Sequence, residues 1–153
     1  MARLLIERHG LQPHPEGGHY RRVHASGVEV EASGRRRPAM TAIRYLLAAG
    51  ERSAWHRVDA DEAWHWQQGG TLDLRQFEAS TGALSRTRLG PPAEGGQVSC
   101  IVPAGAWQSA FAPDDAVLVM CTVAPGFVWE GFELLDAASD VARELARLGA
   151  LHP

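Results

Sequence analysis

Residues 50–69 read GERSAWHRVDADEAWHWQQG. Five residues separate Gly50 from His56, Glu62 stands six positions after His56, and six residues separate Glu62 from Gly69. That spacing fits a strand–turn–strand in which one imidazole and one carboxylate point into the same cavity. It is the frame of a metal-binding β-barrel, with Val58 standing where a second histidine would be.

On either side, the chain continues in short punctuated runs. VHASGVEVEA, MTAIRYLL, AWHRV, EAWHW, LDLRQFEA, LSRTRLG, QVSCIVP, WQSAFA and AVLVMCTVAP are each strand-length and rich in β-branched or aromatic residues. Each is bounded by Gly, Pro or Asp. Such a series predicts a β-sandwich or barrel. The ends change period. Residues 2–9 carry Leu4, Leu5 and Arg8 at helical spacing until Gly10 stops them. Near the other end Val141, Leu145 and Leu148 recur in SDVARELARLG, with Ser139 as N-cap and Gly149 as stop. Between the first helix and the barrel, HPEGG predicts a tight turn before Tyr20 starts an extended segment.

Composition narrows the class. The 153 residues are enough for one domain with its own core. A formal net charge of -3 argues against nucleic acid or an anionic membrane as partner. The basic run Arg35–Arg37 reads as a solvated loop. No apolar stretch is long enough to cross a bilayer, and the N-terminus is charged rather than signal-like. Cys100 and Cys121 sit in apolar runs without a CxxC partner and read as reduced core residues. A cytoplasmic location is the expectation.

The motifs resemble those of the cupins, small double-stranded β-helix barrels related to jelly rolls. The first cupin motif matches at Gly50, His56, Glu62 and Gly69. The second matches at Pro103 and Gly105 of VPAGAWQ, with Gln108 where a histidine would stand. HPEGG, TAI-x-YLL, WHRV, DE-x-WH, VPAG-x-WQ and CTVAPGF-x-x-x-x-FEL, in that order, are similar to cupin family five, a group of short single-domain cupins. The resemblance implies an all-β fold over residues 1–153: an RmlC-like jelly-roll barrel with short N- and C-terminal helices. It also implies pairing as a homodimer and a kinship with sugar-nucleotide epimerases. One barrel hosts many chemistries, so a reaction does not follow from it.

Alternation distributes the side chains. An inward His56 brings Val58 with it and turns Trp55 and Arg57 away. An inward Glu62 brings Trp64 and Trp66 and turns His65 outward, unless a bulge reverses it. In the leading reading no cofactor is needed. Glu62 holds His56 in one tautomer and raises its basicity, His56 abstracts a proton beside a carbonyl, and Tyr20 or Tyr45 returns one. Trp64, Trp66 and Trp107 would exclude water, while Trp129 reads as structural packing. Tyr45, Gln108, Arg44 and, given a bulge, His65 are further candidates for substrate contact. Arg44 is either an anchor for an anionic group or an outward residue. Glu16 is acidic where a plain turn needs no acid, and points to gating of the barrel mouth or to the dimer contact.

Two rival readings stand beside this one. A divalent metal held by His56, Glu62 and Gln108 would make the chain a metalloenzyme. A non-catalytic module would use the same cavity to capture a metabolite. In all three the partner is a small molecule.

Overall fold

The computed structural model of the chain describes residues 1–151. Helix α1 (Ala2–His9) ends at Gly10, which adopts the left-handed conformation that suits glycine. It leads through β1 (Gln12–Pro13) into β2 (His19–Ala25), the hairpin β3 (Glu29–Ala32) and β4 (Arg35–Pro38), and β5 (Thr41–Leu47). The quoted stretch supplies β6 (His56–Val58) and β7 (Asp61–Gly69). There follow β8 (Leu72–Glu78), β9 (Ala83–Leu89), β10 (Ser99–Val102), β11 (Trp107–Phe111), β12 (Val117–Ala124), β13 (Phe132–Leu134) and α2 (Asp140–Arg147).

The strands form two sheets, ordered β1-β2-β5-β12-β7-β10 and β13-β6-β11-β8-β9, with β3-β4 as a separate ribbon. β6 and β7, consecutive in sequence, lie in opposite sheets. The His56 and Glu62 side chains therefore approach the interior from two sides. Between the sheets Tyr45, Leu47, Trp64, Leu72, Leu74, Val117, Val119 and Cys121 form one buried cluster. The alternate residues of β5 and β12, Leu46 and Leu118, face out and are covered by Leu5 and Leu11. Both faces of these central strands are thus apolar, which is why TAIRYLL and AVLVMCTVAP read as nearly continuous hydrophobic runs. α2 covers the outside of the second sheet. Its Leu145 is fully buried against Trp55, Phe77 and Trp107, and Trp55 Nε1 donates to the Ala150 carbonyl at 3.1 Å. Ser139 caps this helix by accepting from Ala142 N–H.

The fold is the cupin β-barrel anticipated above, with one correction and one open alternative resolved. The segment 35–37 is strand β4 rather than a solvated loop. Arg37 is 1% exposed, with Nη1 and Nη2 each 2.9 Å from Asp59 and Nε donating to the Gly126 carbonyl at 2.7 Å. Three arginines in a row give no periodicity from which to read that burial. Second, a bulge does occur in β7, where β12 passes from Leu118 opposite Gln68 to Val119 opposite Trp66. The extra residue is Gln67, beyond His65. His65 consequently stays on the outer face, its Nε2 3.3 Å from Thr122 Oγ1.

Candidate functional site

A cavity of about 310 Å³ opens between the sheets. Its depth is lined by Tyr45, Trp64, Glu62 and Cys121, and its rim carries Phe127 and Trp129 from the segment joining β12 to β13, with Phe132 at the start of β13. Trp129 is 47% exposed, whereas Trp64 is 1% exposed. The rim rings pack edge to face, with Phe127–Trp129 centroids 4.9 Å apart and Trp129–Phe132 5.5 Å apart.

One wall is the HPEGG turn. It is closed by the Gly17 N–H on the His14 carbonyl and the His14 N–H on the Gly18 carbonyl. Gly17 and Gly18 have φ of 101° and 71°. A Cβ on Gly17 would lie 2.6 Å from the Arg52 carbonyl oxygen, and one on Gly18 2.7 Å from that of Leu46. Only glycine lets the turn settle so closely on the barrel. Tyr45 Oη then donates to the Gly17 carbonyl at 2.8 Å, and Ala54 N–H donates to the Glu16 carbonyl at 2.6 Å. These bonds carry the Glu16 side chain into the cavity beside β6, where it is 8% exposed.

His56 meets it there. His56 Nδ1 lies 2.8 Å from the Ala54 carbonyl oxygen; a carbonyl only accepts, so Nδ1 carries the proton. Nε2, left with its lone pair, is 3.1 Å from Glu16 Oε2. A lone pair and a carboxyl oxygen at that distance are joined by a proton. Burial pushes the Glu16 carboxyl up to about 8. Burial likewise holds His56 below its ordinary value. Both shifts, caused by burial, favour the uncharged pair, in which Glu16 donates to His56 Nε2. His14 stands behind the pair. It accepts from Glu16 N–H at Nδ1 (3.2 Å), and burial followed by repulsion from His56 lowers it to about 4.

The opposite wall holds a second relay. Trp64 Nε1 donates to Gln108 Oε1 at 2.8 Å, and Gln108 Nε2 donates to Glu62 Oε2 at 2.6 Å. Burial raises the Glu62 carboxyl to about 7, the nearby His56 opposing and Glu16 reinforcing the rise. The same relay decides whether His56, Glu62 and Gln108 fit a metal. The only oxygen Gln108 has to offer is taken by Trp64, its amide nitrogen is turned to Glu62, and His56 Nε2 faces Glu16. Among the described residues no three His, Cys, Asp or Glu side chains are grouped to hold an ion. That ligand set does not fit.

Of the residues singled out from sequence, the structure gathers His56, Glu62, Tyr20, Tyr45 and Trp64 around the cavity. Gln108 lies behind Glu62. Trp66 packs against the inner cluster, its Nε1 donating to the Gly70 carbonyl. Arg44 is on the outer face of β5 with Leu46, His65 on the outer face of β7, and Trp107 under α2. None of these five lines the cavity. Trp129, read as packing, stands at its rim. The carboxyl within hydrogen-bond reach of His56 is Glu16, not Glu62. His14, Arg22, Cys121, Phe127 and Phe132 are lining residues that strand patterning did not mark. The aromatic spacing in GFVWEGF is the signal that could have found the rim.

The family model described as "Cupin superfamily (DUF985)" matches residues 3–135. No curated protein matches the chain in sequence. A hypothetical protein from Leishmania major is 30% identical, with a TM-score of 0.86 and 98% of this chain and 94% of that one covered. A Shewanella oneidensis protein solved by structural genomics is 31% identical, with a TM-score of 0.84 over 96% and 92% of the two chains. Oxalate decarboxylase from Bacillus subtilis shares the fold alone. It is 16% identical with a TM-score of 0.59, and covers 90% of this chain against 34% of its own.

Proposed function

The chain belongs to the DUF985 family of the cupin superfamily, and on that premise we propose that it is a small-molecule enzyme of the isomerase type, working by metal-independent proton transfer. The observation that carries this reading is the 3.1 Å contact between His56 Nε2 and Glu16 Oε2, with Nδ1 committed to the Ala54 carbonyl. A protonated carboxyl bonded to a neutral imidazole is a proton relay. Glu16 takes a proton from a carbon beside a carbonyl on its free oxygen as its own Oε2 proton passes to Nε2. The C–H bond breaks, a new O–H and an N–H form, and the substrate is left as an enolate facing an imidazolium. Reversal restores the starting compound, while donation from Tyr20, a second lining residue, would deliver the proton from another direction and invert or shift the centre. Tyr20 is in turn left to regain its proton from the pair.

Supporting this reading, aromatic and aliphatic side chains make up more than half of the cavity lining, and Glu16, His56 and Glu62 converge within it. Positioned acid–base groups of this kind contribute about 10²- to 10⁴-fold in rate. The test is solvent-deuterium incorporation, followed by proton NMR, into a panel of small α-hydroxy and α-alkyl carbonyl compounds. The wild type should label at least one compound, and Glu16→Gln and His56→Ala should each slow labelling by about 10²-fold or more while melting as folded proteins. Labelling by Glu16→Gln at the wild-type rate would overturn the reading. So would no labelling of any compound that binds, which would leave a metabolite-binding module.

A further inference from the structure

The Glu62 side of the cavity has no part in the relay, yet it is the more elaborately fixed. Glu62 is 7% exposed, and one of its oxygens is assigned by the structure. Oε2 accepts from Gln108 Nε2, whose amide cannot turn over because its own oxygen accepts from Trp64 Nε1. Gln108 is 1% exposed and Trp64 is 1% exposed, so neither partner has an alternative in water. Cys121, fully buried on β12, is the other polar side chain beside Glu62 in the depth of the cavity. No arginine or lysine pairs with Glu62 among the described residues; the one cationic guanidinium lining the cavity, Arg22, donates to the Phe127 carbonyl at the rim.

Burial among apolar walls with no cationic partner favours the protonated carboxyl against the opposing Gln108 donor, and the fixed Oε2 leaves Oε1 to carry the proton. A neutral carboxylic acid aimed into a water-poor cavity is a strong donor to an oxygen on which negative charge develops. We propose that Glu62, with Cys121 beside it, forms an oxyanion subsite. It would bind the carbonyl oxygen of a planar, enolisable ligand through Oε1–H, while Gln108 and Trp64 act as positioning residues that fix which oxygen donates. This rests on the proton-transfer reading and completes it: the relay removes the proton, and the Glu62 wall holds the enolate oxygen that results. The raised position of Glu62, to about 7, is consistent with this geometry.

The test needs no turnover. 4-Nitrophenol is a planar stand-in for an enolate and reports its own ionisation by its visible absorbance. Bound to the wild type below its solution pKa, it should show the phenolate spectrum. In Glu62→Leu, which removes the donor at similar volume and is checked by thermal melting, the ionised fraction at the same pH should fall by about tenfold. Trp64→Phe, which frees the Gln108 amide to turn, should give an intermediate fall with the probe still bound. A probe that fails to bind, that binds in neutral form, or that is ionised equally in wild type and Glu62→Leu overturns the proposal. The two readings fail separately. Phenolate bound through Glu62 without deuterium labelling of any carbonyl compound retains the subsite and removes the isomerase. Labelling with a neutral bound probe does the reverse.

Discussion

At the scale of the residue, the site is defined by what burial does to four ionisable groups. Glu16 and Glu62 are pushed up, to about 8 and about 7, while His14 falls to about 4 and His56 is lowered. The consequences for stability have opposite signs. The lowered histidines contribute stability above their unfolded value, 6.5, and lose it as pH falls. The raised carboxyls contribute stability that is complete below their unfolded value, 4.5, and lose it as pH rises toward their folded values. Between 4.5 and 6.5 the two trends oppose one another. Above 6.5 the histidines are neutral in both states and only the carboxyls act. The melting temperature of the wild type should therefore fall between pH 6.5 and about 8. Glu16→Gln, which has no proton to lose, should show a clearly smaller fall. An equal fall in both proteins would show that Glu16 is ionised at neutral pH. His56 and Glu62 were legible in sequence because their spacing is that of a known frame. Glu16 was visible only as an acid out of place in a turn, since its reach to His56 depends on how that turn settles on the barrel.

At the scale of the element, the turn before β2 and the segment after β12 do what the regular strands cannot. Both bring irregular backbone to the cavity, and both are tied down. Gly126 N–H donates to the Pro38 carbonyl, its own carbonyl accepts from Arg37, and Asp59 N–H donates to the Gly131 carbonyl. A Cβ on Gly131 would lie within 2.6 Å of all three atoms of the Asp59 carboxyl group. Between these ties stand Phe127 and Trp129. The Arg37–Asp59 fork is therefore the fastening of the aromatic rim, and it couples the β3-β4 ribbon to the site. Arg37→Met should cost about 2–4 kcal/mol, because Asp59 loses a bidentate partner and the Gly126 carbonyl its donor. It should also raise the mobility of Trp129, read as a fall in its fluorescence anisotropy. Unchanged stability would contradict the fastening role. None of this was legible in the sequence, where Arg35–Arg37 is only a run of charge and APGFVWEGF only a break between strands.

At the scale of the whole molecule, the two facing sheets, α1 outside one and α2 outside the other, enclose the deep end of the cavity. Alternation and turn residues were enough to read this architecture, and both helices, their stops and the Ser139 cap fell where the pattern put them. The reading faltered where tertiary contacts override local pattern. Trp107 and Trp66 had the right composition for a pocket wall, but strand facing assigned one to the α2 interface and depth assigned the other to the core. No helix of the described chain is long and apolar enough to cross a membrane. In the proposed function, the barrel's main contribution is to hold an imidazole neutral beside a carboxyl that keeps its proton. The measurement that tests this most directly is nitrogen-15 NMR of the histidines in the intact protein across pH 5 to 8. The account predicts that His56 is the neutral Nδ1–H tautomer at neutral pH, with the Nε2 signal shifted by a hydrogen bond that Glu16→Ala removes. A His56 that titrates at an ordinary histidine value, or that carries its proton on Nε2, would contradict it.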